Sequence, residues 1–132
     1  MRPRILIIDD ESAMDVLVRK IMKYEIEEEG YEFIYFKSGD EAFRYLEEGN
    51  RADVLLSDIN MPGKLDGLTL LEKVKTRGYD TRTIIVSAYG DMTRARIAIQ
   101  NGAFDFIEKP IDKDDLRFSV KRAVNFMHEW RR

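Results

Sequence analysis

The chain has 132 residues, 44% of them hydrophobic and 36% charged, with a net charge of -3, no cysteine and one histidine, His128. This size suits one domain spanning residues 1–132 with a real core, and the composition is that of a soluble globular protein. It excludes disulfide, thiolate and zinc–cysteine chemistry, and it leaves no histidine cluster for a metal. No run approaches the roughly 18 apolar residues of a membrane span, and no basic face suggests direct nucleic-acid binding. The start, Met1-Arg2-Pro3-Arg4, leads into an apolar run too short for a signal peptide, so a cytoplasmic protein is expected.

Apolar runs alternate with amphipathic stretches along the whole chain. The first strand is expected at Arg4–Ile8 and the first helix from about Ser12 to Glu28, with Met14, Leu17, Val18 and Ile21 on its inner stripe. A second strand, Glu32–Phe36, precedes a helix starting after Ser38-Gly39, with Ala42, Tyr45 and Leu46 inward. A third strand, Asp53–Ser57, precedes a helix after Asp66-Gly67, with Leu68, Leu71 and Val74 inward. A fourth strand, Thr83–Val86, is followed by a helix from near Asp91, with Ala95, Ala98 and Ile99 inward, stopped by Asn101-Gly102. A fifth strand, Phe104–Glu108, leads to a last helix over about 112–130, with Leu116, Val120, Ala123, Val124 and Met127 on one face. Phe126, Met127 and Trp130 supply apolar surface late in that helix, either covering the sheet or serving as a linker or dimer contact. The terminal Arg131-Arg132 reads as its solvated end.

Five βα units in succession predict an α/β sandwich around a parallel sheet. Strands one, three and four are nearly continuous in Ile, Leu and Val, as strands covered on both faces are. Strands two and five mix apolar with charged residues, as edge strands do. This fits the order 2-1-3-4-5, which makes strands one and three neighbours at the crevice where such sheets bind ligands.

Polar groups collect at that end. Asp9 and Asp10 follow the first strand, Asp58 the third, Ser87 the fourth and Lys109 the fifth. Asp9 and Asp10 also suit a helix cap, Ser87 a strand end, and Lys109 a solvated surface. Together they suggest phosphoryl transfer onto an aspartate. Three carboxylates in one crevice repel unless a cation offsets them, and Mg2+ takes oxygen ligands of this kind. Asp58 is the candidate nucleophile, since a carboxylate attacking phosphorus gives an acyl phosphate. Ser87 offers a hydroxyl and Lys109 a point charge. Pro110 after Lys109 allows a cis bond in a tight turn. Phe106 is either core packing or part of the site. A phosphate-binding glycine loop of the G-x-x-x-x-G-K-[ST] type and a dinucleotide fingerprint are both missing.

The pieces Ile7-Ile8-Asp9-Asp10-Glu11, Asp58-Ile59-Asn60-Met61-Pro62-Gly63, Ser87-Ala88-Tyr89-Gly90 and Gly102-Ala103-Phe104-Asp105-Phe106-Ile107-Glu108-Lys109-Pro110 resemble the receiver domains of two-component response regulators. The last two pieces are most similar to receivers of the nitrogen-regulation type. The resemblance implies a flavodoxin-like three-layer (βα)5 sandwich. It implies Asp58 as phosphoacceptor, Asp10 as a direct Mg2+ ligand, Asp9 acting largely through water, and the backbone carbonyl of Asn60 as a further ligand. It implies Ser87 and Phe106 as switch residues, Lys109 as the family's site lysine, and Asn60 and Tyr89 as positions that tune the lifetime of the phosphoryl group. One departure is a loop one residue longer than usual, Gly63-Lys64-Leu65-Asp66, before the third helix.

The implied partners are a sensor histidine kinase or histidine phosphotransfer protein, and a downstream effector protein or domain. A homodimer is conceivable through the face of the fourth helix, fifth strand and fifth helix, or through the C-terminal helix. The implied activity is that of a signalling switch rather than a turnover enzyme: Asn60 stands where an aspartyl phosphatase would carry its acid/base aspartate. The alternative is a pseudo-receiver that binds partners without phosphorylation. A flavin carrier on the same fold is disfavoured, because Asp9-Asp10-Glu11 would repel a phosphate.

Overall fold

The computed structural model describes residues 2–60 and 66–130, the last three of these as helical backbone. The long loop's residues 61–65, the side chains of His128 and Trp130, and Arg131-Arg132 lie outside the described residues. Five parallel strands form one sheet: β1 (Arg4–Ile8), β2 (Glu32–Phe36), β3 (Val54–Asp58), β4 (Arg82–Ser87) and β5 (Asp105–Glu108). Their order is β2-β1-β3-β4-β5, as the strand composition predicted. Bounds differ from the sequence reading by at most one residue at each end. Among the described residues the helices are α1 (Ser12–Ile21), α2 (Lys23–Glu28), α3 (Gly39–Glu47), α4 (Gly67–Thr76), α5 (Met92–Gln100) and α6 (Lys113–Trp130). Among the described residues, no helix is long and apolar enough to cross a membrane.

The period-two alternation of the strands assigns the layers. Ile5 and Ile7 of β1, Val54 and Leu56 of β3, and Ile84 and Val86 of β4 face one side. There they meet Met14 and Val18 of α1 and Leu116, Val120, Ala123 and Val124 of α6. Leu6, Ile8 and Leu55 face the other side, against Ala42, Phe43 and Leu46 of α3 and Leu70 and Val74 of α4. A third cluster on that side joins Ile59, Leu71 and Ile85 to Ala98 and Ala103, with Leu68 and Phe106 packed on it. Three layers result, with both faces of the central strands buried.

Three expectations need correction. The first helix is interrupted at Met22, which leaves helical geometry (φ -95°, ψ 19°) while its amide still reaches the Val18 carbonyl at 2.9 Å. The following segment, α2, buries Glu25 under α6, where Arg117 lies 3.3 Å and Lys121 3.7 Å away. Leu17 is 39% exposed, because α1 turns Met14 and Val18 inward instead, with Met22 buried just past its end. Ile99 is 41% exposed, because α5 turns only the small Ala95 and Ala98 inward and Ile99 falls one helical step past them. Met127 is buried, so the late part of α6 covers the sheet there. Phe126 remains 38% exposed and packs on Phe104 with ring centroids 5.8 Å apart.

Candidate functional site

Sheet register brings the strand ends level. Ile8 of β1 lies beside Ser57 of β3, Asp58 beside Val86 of β4, and Ser87 beside Glu108 of β5. Asp9, Asp58 and Lys109 therefore leave the sheet at one end. Asp9, Asp10 and Asp58 each offer a carboxylate oxygen, all within 4.8 Å of one another. Asp9 and Asp58 are buried and Asp10 is exposed. The ammonium of Lys109 lies 3.0 Å from Asp58 Oδ2 and 3.8 Å from Asp9 Oδ2. The Lys109–Pro110 bond is cis.

Backbone contacts hold the carboxylates. The Glu11 amide donates to Asp9 Oδ1 at 2.8 Å, and the Asn60 amide to Asp58 Oδ1 at 3.0 Å. The Ile59 amide donates to the Val86 carbonyl at 2.9 Å, and the Lys109 amide to the Ser87 carbonyl at 2.8 Å. Ser87 is buried at the end of β4. The loop after it is tied to β5 by the Gly90 amide, 3.1 Å from Glu108 Oε2. Tyr89 on that loop is 81% exposed. Phe106 is half-buried, beside Ile85 in the register and against the cluster shared by α4 and α5.

Among the described residues, one cation, Lys109, faces these three carboxylates, which leaves surplus negative charge. Burial pushes the Asp9 carboxyl up to about 6. The Glu11 amide opposes the rise, nearby Asp58 adds to it, and Lys109 again opposes it. Burial pulls Lys109 down, but the hydrogen bond and charge of Asp58 and the charge of Asp9 outweigh it and hold the ammonium above its usual value. A hard, all-oxygen donor set with unspent negative charge fits Mg2+.

Two contributors had no signature in the local sequence. The Tyr35 hydroxyl on edge strand β2 donates to the Asp9 carbonyl at 2.7 Å. Register beside Ile7 puts Tyr35 within reach, so the topology rather than the motif could have found it. Arg94 of α5 hydrogen-bonds the side chain of Asn60, a contact visible only in three dimensions.

Comparison with known proteins gives the family. The response regulator receiver domain model matches residues 5–121. The DNA-binding transcriptional regulator NtrC of Klebsiella pneumoniae is 38% identical over 93% of this chain and 25% of its own length. The chain thus spans about a quarter of the length of that relative. Sporulation initiation phosphotransferase F of Bacillus subtilis is 30% identical over 94% of this chain and 95% of its own. Among solved structures, a response regulator receiver domain protein from Clostridium thermocellum superposes with a TM-score of 0.83 at 30% identity, covering 97% of this chain and 98% of that one. The receiver domain of NtrX from Brucella abortus gives 0.80 at 33% identity, covering 92% and 98%. With the family model matched over residues 5–121, and with a 2-1-3-4-5 sheet gathering Asp9, Asp10 and Asp58 at one end, this chain belongs to the response regulator receiver domains of two-component signalling.

Proposed function

We propose that the chain is a phosphorylation-activated switch in which Asp58 is the phosphoacceptor. A carboxylate oxygen of Asp58 attacks phosphorus on a phosphohistidine of a partner kinase or phosphotransfer protein. The bond from oxygen to phosphorus forms, the bond from phosphorus to imidazole nitrogen breaks, and the imidazole takes up a proton. The observation that carries this reading is Lys109 Nζ at 3.0 Å from Asp58 Oδ2, inside a crevice with two further carboxylates. Sporulation initiation phosphotransferase F, a relative matched along nearly its full length, bears the name of a phosphotransferase, which supports the same chemistry.

Asp9, Asp10, Asp58 and the backbone carbonyl of Asn60 would hold Mg2+, which when bound neutralises charge on phosphoryl oxygens. Lys109 stabilises negative charge on the transferring group and orients the acceptor carboxylate. The product adds about -1.5 to -2 charge at the site. Ser87 follows that charge, and Phe106 turns into the space it leaves. The surface of α5, β5 and α6 then differs between the two states, and a downstream effector, or a second copy of the chain, reads the difference. Throwing such a switch from mostly off to mostly on takes about 5.5 kcal/mol of differential stabilisation. The chain is a signalling partner, not a turnover enzyme.

Beryllium fluoride, which mimics a phosphoryl group on a carboxylate, tests the reading. Fluorine NMR should show a bound species that requires both Mg2+ and Asp58 and is lost in Asp58→Asn. A bound species that persists in Asp58→Asn would overturn the assignment of the acceptor.

A further inference from the structure

Arg94 connects α5 to the phosphoacceptor loop in a way the chemistry above does not use. α5 is thinly anchored, burying only Ala95 and Ala98. Its neighbour Arg94 turns its guanidinium toward the segment after β3, with 31% of the side chain exposed. There it donates to Asn60 Oδ1, and a second nitrogen lies 3.4 Å from the Ile59 carbonyl and 3.8 Å from Asp66 Oδ2. Asn60 and Asp66 lie on either side of residues 61–65 in the sequence, so one guanidinium reaches both flanking residues. The Gly67 amide also links the two flanks, donating to the Ile59 carbonyl at 3.2 Å. Asn60 in turn donates its own amide to Asp58 Oδ1 at 3.0 Å. A continuous path therefore runs from α5 through Arg94 and Asn60 to the acceptor carboxylate.

We propose that Arg94 is a positioning residue for the metal: its fork holds Asn60, the Ile59 carbonyl and Asp66 so that the Asn60 carbonyl is presented to Mg2+, and it makes α5 sense whether the cation is bound. The inference rests on the metal-binding reading of the site. A planar guanidinium presents its donors in a rigid fork and so holds an amide oxygen, a carbonyl and a carboxylate in one fixed geometry, which the compact ammonium on a flexible stem does not impose. Residues that orient a metal ligand from behind set affinity without touching the ion. By linkage, a clasp that strengthens Mg2+ binding is itself strengthened by it, and α5 is drawn to the loop to the same extent.

The sign of one substitution separates this from simple electrostatics. Arg94 is a cation near an acidic site, so charge alone says that removing it tightens Mg2+ binding. Positioning says the reverse. The test is Mg2+ titration of the 132-residue chain by calorimetry and by backbone-amide NMR, for wild type, Arg94→Ala, Arg94→Lys, Asn60→Ala and the Arg94→Ala/Asn60→Ala pair. Expected is a Kd for Mg2+ raised about three- to tenfold in Arg94→Ala, with only partial recovery in Arg94→Lys. The effect of Arg94→Ala should shrink once Asn60 is already alanine. Amides of Thr93 to Ala95 should shift on Mg2+ addition in wild type and not in Arg94→Ala. Unchanged or tighter Mg2+ binding in Arg94→Ala, with a wild-type urea midpoint, overturns the proposal, as does a full-sized effect in the Asn60→Ala background. A wild-type chain that binds no Mg2+ overturns the metal reading itself, and this inference with it.

Discussion

Gly67→Ala isolates how tightly the end of β3, which carries Asp58, is packed against the helix that follows it. Gly67 is the first residue of α4, and its N–H meets the Ile59 carbonyl. A Cβ there would sit 2.6 Å from the Asp58 carbonyl oxygen and 2.7 Å from the Ile59 Cα. The nearer contact is about 0.8 Å short of an ordinary 3.4 Å approach, and both atoms are backbone, so no rotamer change relieves it. Overpacking of this kind costs about 1–3 kcal/mol. Alanine's better helix propensity returns up to about 1 kcal/mol, and less in a first turn. The net expectation is a loss of about 1–2 kcal/mol. With a urea slope near 2 kcal/mol/M, the midpoint should fall by roughly 0.5–1 M with the slope unchanged. Because the displaced backbone belongs to Asp58, acceptance of a phosphoryl group should slow in the same variant. A Gly67→Ala chain as stable as wild type, or more so, refutes the close approach.

Other consequences follow from the same geometry. Lys109→Ala removes the cation 3.0 Å from Asp58 and should slow phosphorylation by a small-molecule donor about a hundredfold; an unchanged rate contradicts its role. Asp9, at about 6 in the folded chain against an ordinary 3.8, keeps a proton that the unfolded chain has lost between those values. Its contribution to the stability of the metal-free protein therefore falls as pH rises from about 4 to about 6 and is level above. The gap between wild-type and Asp9→Asn urea midpoints, measured across that window, should move in this direction; the opposite slope rejects the account. Phe106→Ala should leave phosphorylation intact and abolish the response of the α5, β5 and α6 surface. Because Phe106 is half-buried, the stability cost should be below the 3–5 kcal/mol typical of a core phenylalanine, at about 1–2 kcal/mol. Wild-type partner binding by the phosphorylated variant would count against the switch.

The sheet order was legible because composition separates doubly covered strands from edge strands, as in Ile5-Leu6-Ile7-Ile8 against Glu32–Phe36. Strand order then predicted which polar groups converge, and Asp9, Asp10, Asp58 and Lys109 do meet in the structure. Helix faces were read less well where two stripes compete. Leu17 and Met22 are both apolar, and only packing against α6 and β1 selects Met22. Ile99 looked like core because it is large, yet α5 approaches the sheet through alanines, which leaves no room for a bulky neighbour to turn in. Glu25 was invisible as a buried residue because its partners, Arg117 and Lys121, lie some ninety positions away. Arg94 is the functional counterpart of that case: its meaning depends on Asn60 and Asp66, which only the folded chain brings near.

The central claim is that Asp58 takes a phosphoryl group from a phosphorus–nitrogen donor. Phosphoramidate carries such a bond, and intact-mass spectrometry followed by peptide mapping reads the outcome. The account predicts a Mg2+-dependent gain of one phosphoryl group, localised to the peptide containing Asp58 and absent from Asp58→Asn. A folded, Mg2+-bound chain that gains nothing, or gains the group elsewhere, would contradict it and favour a receiver fold used as a phosphorylation-independent binding module.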